Sequence, residues 1–278
     1  MATERKNWNN LRPVVVAAAN HEGISMELKN KVIVITGAAR GLGAAMAIRL
    51  AGHGCKLALV DLDAASIEAT AEKCRSAGAE VKAYGANVAD EADVENLFKQ
   101  VIEDLGGLDG LVNNAGITRD ALMVKYKDGE LVSKMSLEQW QQVIDVNLTG
   151  VFLCGREAAL QMIQLGSKGC IINISSISRS GNMGQTNYTA AKAGVEAMAV
   201  VWAKELARFG IRAASIAPGF VNTEMVAAMK PEAREKMTSV IPARRMAEPD
   251  ELAQSVEFIL QNDYFNGRCL ELDGGLRL

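Results

Sequence analysis

From Lys31 onward, short β-branched or apolar runs alternate with longer stretches whose apolar positions recur every three or four residues, which predicts strands and helices in strict alternation. The run at 31–35 fits a strand buried on both faces, and a glycine turn separates it from a helix over 42–51. The same pattern predicts a strand at 56–60, a helix at 64–77, a strand at 81–84, a helix at 91–105 and a strand at 108–112. Ser136-Leu137-Glu138-Gln139 reads as a capping box opening a helix that reaches about Leu165. A strand at 169–175, a helix beginning near Tyr188 and a strand at 211–217 follow. Residues 220–249 read as an irregular segment with two prolines inside it, and the chain closes with a short helix and a strand at 269–272. Continuous apolar strands alternating with helices predict an α/β fold: one doubly wound parallel sheet of about seven strands with helices on both faces. No internal repeat is visible.

Composition narrows the function. The 278 residues are 49% hydrophobic and 23% charged with a net charge of -3, so there is no basic surface to hold nucleic acid. Five cysteines without a Cys-x-x-Cys pair and two histidines read as reduced thiols and no metal site. No apolar run has the length of a membrane helix, and the early run at 14–19 is short for a signal peptide, so a cytoplasmic protein without a membrane partner is expected. Met26-Glu27-Leu28 leads directly into the first strand. Residues 1–25 therefore read as a flexible N-terminal tail and residues 26–278 as one domain.

Two stretches carry the chemistry. Thr36-Gly37-Ala38-Ala39-Arg40-Gly41-Leu42-Gly43 joins a strand to a helix, and glycines there let the backbone approach a pyrophosphate at a helix N-terminus. The next strand ends in Asp61, 18 residues after Gly43, where an acid can accept hydrogen bonds from a ribose. Dinucleotide binding follows from this context. Strands three and four run into Asn87-Val88 and Asn113-Asn114-Ala115-Gly116, at the edge where such sheets bind ligands. In the second stretch, Tyr188 and Lys192 share a helical face, and the ammonium is expected to draw the phenol toward neutrality, making it an acid or base. Asn147 interrupts an apolar helical face.

In order and approximate spacing, these motifs, with Ser175-Ser176 and Pro218-Gly219, resemble the short-chain dehydrogenase/reductase family over residues 27–278. The resemblance is nearest to 3-oxoacyl-(acyl-carrier-protein) reductases, through Asp145-Val-Asn147-Leu-Thr149-Gly150, Gly184-Gln185-x-Asn187-Tyr188 and Ala217-Pro218-Gly219-Phe220-Val221. It implies a Rossmann-like sheet and an NAD(P)(H)-dependent oxidoreductase interconverting a carbonyl and a secondary alcohol, most often a 3-oxoacyl thioester of acyl carrier protein or CoA. The alternatives are an NAD-dependent dehydrogenase of a small alcohol, sugar or ring ketone, and a non-catalytic dinucleotide sensor or scaffold. By resemblance, Tyr188 donates the proton, Lys192 lowers its pKa and holds the nicotinamide ribose, and Asn147 carries a proton-relaying water. The serine that polarises the substrate oxygen is Ser175 by the customary family spacing of 13 residues before Tyr188, but Ser176 by alignment of the strand; we assign Ser176. The cofactor set comprises Gly37, Arg40, Gly41, Leu42, Gly43, Asp61, Asn87, Val88, Asn114, Ala115, Gly116, Tyr188, Lys192, Pro218, Gly219, Val221 and Thr223. Asp61 favours NAD(H), with Arg40 offering NADP(H) as the alternative.

The stretch 121–136 reads as a long loop beside the substrate mouth, a departure from the reductases it resembles. Lys168 and Arg208 stand where such enzymes display more arginines, so charge does not itself support a docked carrier protein. The helices around Asn147 and after Tyr188 carry more apolar and small residues than one sheet face can cover, which predicts a partner surface. The resemblance makes that partner a homotetramer.

Overall fold

The structure, a computed structural model, describes residues 26–227 and 230–278; the expected tail at 1–25 lies outside the described residues. Seven parallel strands form the central sheet: β1 (Val32–Thr36), β2 (Lys56–Asp61), β3 (Val81–Gly85), β4 (Gly110–Asn113), β7 (Cys170–Ile174), β8 (Arg212–Pro218) and β9 (Cys269–Leu272), in the spatial order β3-β2-β1-β4-β7-β8-β9. The helices are α1 (Gly41–Gly52), α2 (Glu68–Ser76), α3 (Glu91–Leu105), α4 (Leu137–Ile144), α5 (Gly150–Leu165), α6 (Thr186–Glu205), α7 (Glu224–Ala227), α8 (Pro231–Ser239) and α9 (Pro249–Gln261). The doubly wound sheet expected from the alternation is present, with helices on both faces.

Strand side chains alternate between two cores. Ile33 and Ile35 of β1 pack with Met46 of α1, Cys74 of α2 and Leu252 of α9, whereas Val32 and Val34 pack with Phe98 of α3 and Leu153 and Met162 of α5. Both sets are buried, which is why the strands read as unbroken apolar runs. Strand order reverses between β1 and β4, and a ligand crevice opens at the carboxyl ends of strands at such a switch point. The glycine turn after β1 and the Asn-Asn-Ala-Gly stretch after β4 flank it. Among the described residues no helix is long and apolar enough to cross a membrane.

Three segments differ from the sequence reading. The long loop is an antiparallel hairpin, β5 (Val124–Lys127) and β6 (Glu130–Lys134), turned by Asp128 and Gly129 at φ 53° and 82°. Positive φ at both central residues matches the right-handed twist of a two-residue hairpin, so Asp-Gly was the legible signal. The helix opened by the Ser136 capping box does reach Leu165, but a π-helical turn over Asp145–Thr149 divides it into α4 and α5. The segment at 220–249 contains α7 and α8, the latter with Pro231 in its first turn, where a missing N–H costs nothing.

Candidate active site

Thr36 ends β1 and closes the switch point. Its hydroxyl accepts from the main-chain N–H of both Asn114 and Ala115 at 3.0 Å, so the two strand ends are pinned together. The Asn114 amide donates to Thr36 O at 3.0 Å and Gly37 O at 3.1 Å, so this side chain holds the glycine turn instead of facing the crevice. Gly37 has φ 65°, and a Cβ on Gly43 would lie 2.2 Å from Gly37 O, which explains two of the glycines as close packing. Gly41 differs: at φ 59° a Cβ there would meet open space. Leu42 packs under the turn against the core. The N-terminus of α1 has no side-chain cap, leaving its N–H groups free for an anion, and Arg40 in front of it is exposed. These features fit the pyrophosphate of a dinucleotide.

Asp61 lies at the end of β2, its carboxylate accepting from Ala39 N at 3.1 Å and Leu62 N at 2.9 Å, so it is fixed at the edge of the turn. Asn87 is exposed and closes a local turn by accepting from Ala89 N. The Val88 side chain belongs to the core and abuts Gly150 at the start of α5. Ala115 likewise packs on that core, and Gly116 lies against the Asn147 side chain. On the far side of the crevice, Gly219 N donates to Leu272 O, Val221 is buried in a bridge to Ala247, and Thr223 N donates back to Val221 O.

The second half of the site is built on β7 and α6. Ser175 is buried, and its hydroxyl donates to Lys192 O at 2.8 Å. Ser176, half-buried, accepts from Ser178 N at 3.1 Å. Its side chain also hydrogen-bonds toward Tyr188. Lys192 is buried, and its ammonium donates to Ile174 O at 2.7 Å and lies 5.5 Å from the centroid of the Tyr188 ring. Burial pushes Lys192 down to about 8. Tyr188 departs from expectation: burial raises its pKa, the Ser176 hydrogen bond lowers it, and the Asp120 carboxylate raises it again. Lys192, which donates to Ile174 O, is not among the groups that shift it.

Asn147 sits in the π turn between α4 and α5. Its side chain is fully buried, accepts from Ile117 N at 2.8 Å and donates to Ile117 O at 2.9 Å, so one N–H remains. The amide therefore clamps the segment after β4 to the π turn. π turns inside α-helices occur frequently at functional sites.

Sequence reasoning missed three positioning side chains. Asn187, fully buried, donates to Arg119 O and Gln139 O and accepts from Tyr188 N, fastening the start of α6 to the segment after β4 and to α4. Asn173 accepts from Asn113 at 3.0 Å and donates to Val195 O at 3.0 Å, tying β4, β7 and α6 through the core. Asp120 accepts from Gln185 at the edge of the same cleft. An asparagine inside the apolar run Cys-Ile-Ile-Asn-Ile was a signal, since a buried amide demands partners.

A family model described as enoyl-(acyl carrier protein) reductase matches residues 37–277. The chain is 39% identical over 254 residues to 3-oxoacyl-(acyl-carrier-protein) reductase FabG of Thermotoga maritima, covering 90% of this chain and 99% of that one. It is 38% identical over 250 residues to the enzyme of that name from Staphylococcus aureus, covering 88% and 98%. With (3R)-3-hydroxyacyl-CoA dehydrogenase of Mus musculus it shares 38% over 262 residues, covering 90% and 98%. Among solved structures, a short-chain type dehydrogenase/reductase from Mycobacterium marinum matches with TM-score 0.81 and 30% identity, covering 90% of this chain and 96% of that one.

Proposed function

Since the chain belongs to the short-chain dehydrogenase/reductase family of oxidoreductases, we propose that its cleft reduces the ketone of a 3-oxoacyl thioester to the 3-hydroxy compound. The observation that carries this reading is the convergence of Ser176, Tyr188 and Lys192 at the carboxyl edge of the sheet, with only β4 between β7 and the strand that feeds the dinucleotide turn. A nicotinamide cofactor, when bound, supplies the hydride. Ser176 turns its hydroxyl from Tyr188 to the ketone oxygen as negative charge develops on it. Tyr188 delivers the proton that converts that oxygen to the hydroxyl. Lys192, whose pKa burial lowers to about 8, holds the nicotinamide ribose beside Tyr188. Asn147 acts by fixing the π turn against Ile117.

The choice of a 3-oxoacyl thioester rests on the names of the similar proteins and on the cleft mouth. There, Ala121 N donates to Gly184 O, placing exposed apolar side chains of Leu122, Met123 and Met183 on either side of the entrance. Such a surface suits an acyl chain better than a sugar. The thioester handle is that of acyl carrier protein or CoA, the cofactor is NAD(H) in preference to NADP(H), and the assembly is a homotetramer. The test is a panel of acetoacetyl-CoA, acetoacetyl-acyl carrier protein, a ring ketone and a small secondary alcohol, followed by nicotinamide absorbance. Turnover confined to the ring ketone or the alcohol would overturn the thioester assignment.

A further inference from the structure

The turn that carries Ser176 is held by a side chain that the reaction itself does not require. Residues Ile177–Ser180 form a 3-10 turn directly after β7, and Arg179 on it is largely covered, with a side-chain exposure of 13%. Each guanidinium nitrogen of Arg179 has a different partner. Nε lies 2.5 Å from Glu196 Oε2 on α6, Nη2 donates to Glu271 Oε1 on β9 at 2.6 Å, and Nη1 reaches Ser176 O at 3.4 Å. The main-chain N–H of Arg179 donates to the same Ser176 carbonyl at 3.1 Å. Glu271 is paired in turn with Arg277 near the C-terminus. Beside this chain of charges, Ile177 packs in a small buried cluster with Leu276, Ile241 and Met246.

We propose that Arg179 is a positioning residue, which transmits the placement of α6 and of the C-terminal edge strand to the Ser176 hydroxyl. The inference rests on the role assigned to Ser176 above. The physical argument is one of geometry. Glu196 lies two turns beyond Tyr188 on the helix that carries both Tyr188 and Lys192, so the Arg179–Glu196 contact fixes the turn relative to the acid. Glu271 lies on the edge strand and fixes it from the other side. Arg179 holds Glu271 and Ser176 O by hydrogen bonds and Glu196 as an ion pair, and a planar guanidinium can hold all three at once, whereas an ammonium on a flexible stem can hold one or two of them without defining the third. A serine misplaced by about 1 Å loses on the order of 100-fold in rate.

The experiment compares Arg179→Met, Arg179→Lys, Ser176→Ala and the double variant Ser176→Ala/Arg179→Met in the full chain, with steady-state kinetics and cofactor affinity by fluorescence titration. Arg179→Met is expected to lower kcat by about 10- to 100-fold with cofactor affinity within about twofold, and Arg179→Lys to recover part of the loss. The decisive reading is the double variant. Once the Ser176 hydroxyl is absent, Arg179→Met should lower kcat little further, because it acts through that hydroxyl. A full additional loss in the double variant, or wild-type kcat in Arg179→Met, would overturn the proposal. Wild-type turnover in Ser176→Ala would instead overturn the role of Ser176 itself, so the two failures are distinguishable. Should Arg179→Met not fold, the same cycle is run with Glu196→Gln, which removes the charge and keeps the volume.

Discussion

The Ser175 hydroxyl donates to the main-chain carbonyl of Lys192 at 2.8 Å, across 17 residues of sequence, and thereby holds β7 against α6. Adjacent side chains at the end of a strand face opposite sides, so this bond leaves Ser176 to face the cleft. Ser176→Ala is expected to lower kcat by about 100-fold or more, as for loss of a donor to a developing oxyanion, with a stability loss of about 1 kcal/mol from the lost bond to Ser178 N. Ser175→Ala should instead lower stability by about 1–3 kcal/mol through the unpaired Lys192 carbonyl. Urea unfolding and steady-state kinetics on both variants check the division, and a crippled Ser175→Ala beside an active Ser176→Ala would reverse it.

Replacing the phenol by Tyr188→Phe removes the transferable proton and almost nothing else. Turnover should drop at least about 100-fold while cofactor affinity stays nearly constant. Near-normal turnover in this variant would take Tyr188 out of the mechanism.

Lys192 makes stability depend on pH in an alkaline window. Its pKa falls from 10.5 to about 8 on folding, so between these values the unfolded chain binds a proton that the folded chain has released. Stability therefore rises with pH through that window; the penalty for burying the ammonium is complete below pH 8 and relieved toward 10.5. From pH 7 to 9.5 the gain is about 2 kcal/mol. Urea titrations at fixed protein concentration should show this gain relative to Lys192→Met, and parallel pH profiles for the two proteins would refute it.

The Asp61 carboxylate is anchored by Ala39 N and Leu62 N and cannot swing away, whereas Arg40 is exposed and free to do so. A 2'-phosphate near Asp61 is opposed by up to about 4 kcal/mol per unit charge pair at an effective dielectric near 20, reduced by solvent at the edge. Higher kcat/KM with NADH than with NADPH is expected, and Asp61→Ala should narrow or invert the ratio. A clear NADPH preference in the unmodified enzyme would mean that Arg40 dominates.

The single chain buries some apolar residues of α5 and α6 and leaves others exposed. Val151, Leu153, Ala158 and Val195 are buried, but Phe152 and Leu160 of α5 are each 43% exposed and Val201 of α6 is 48% exposed. If these faces meet in a homotetramer, light scattering at micromolar concentration gives four times the mass of 29.7 kDa, and Phe152→Asp with Val201→Asp lowers it. A monomer mass for the unmodified chain would decide against assembly.

By itself the sequence determined the strands of the central sheet and the helices between them, the parallel sheet, the switch-point crevice and the identity of its glycines, because apolar periodicity and glycine spacing are local properties of the chain. Tyr188 and Lys192 were legible for the same reason, being one helical turn apart. What only the tertiary structure decided is where polar atoms find their partners. Asn114, Asn147 and Asn187 look alike in sequence, yet each is committed to backbone groups brought near only when β4, the π turn and α6 meet. The choice between Ser175 and Ser176, the direction of the Tyr188 shift and the triple contact of Arg179 arise in the same way. Each depends on which donor a buried acceptor meets across the fold, and side-chain hydrogen bonds between distant segments leave no period in the chain.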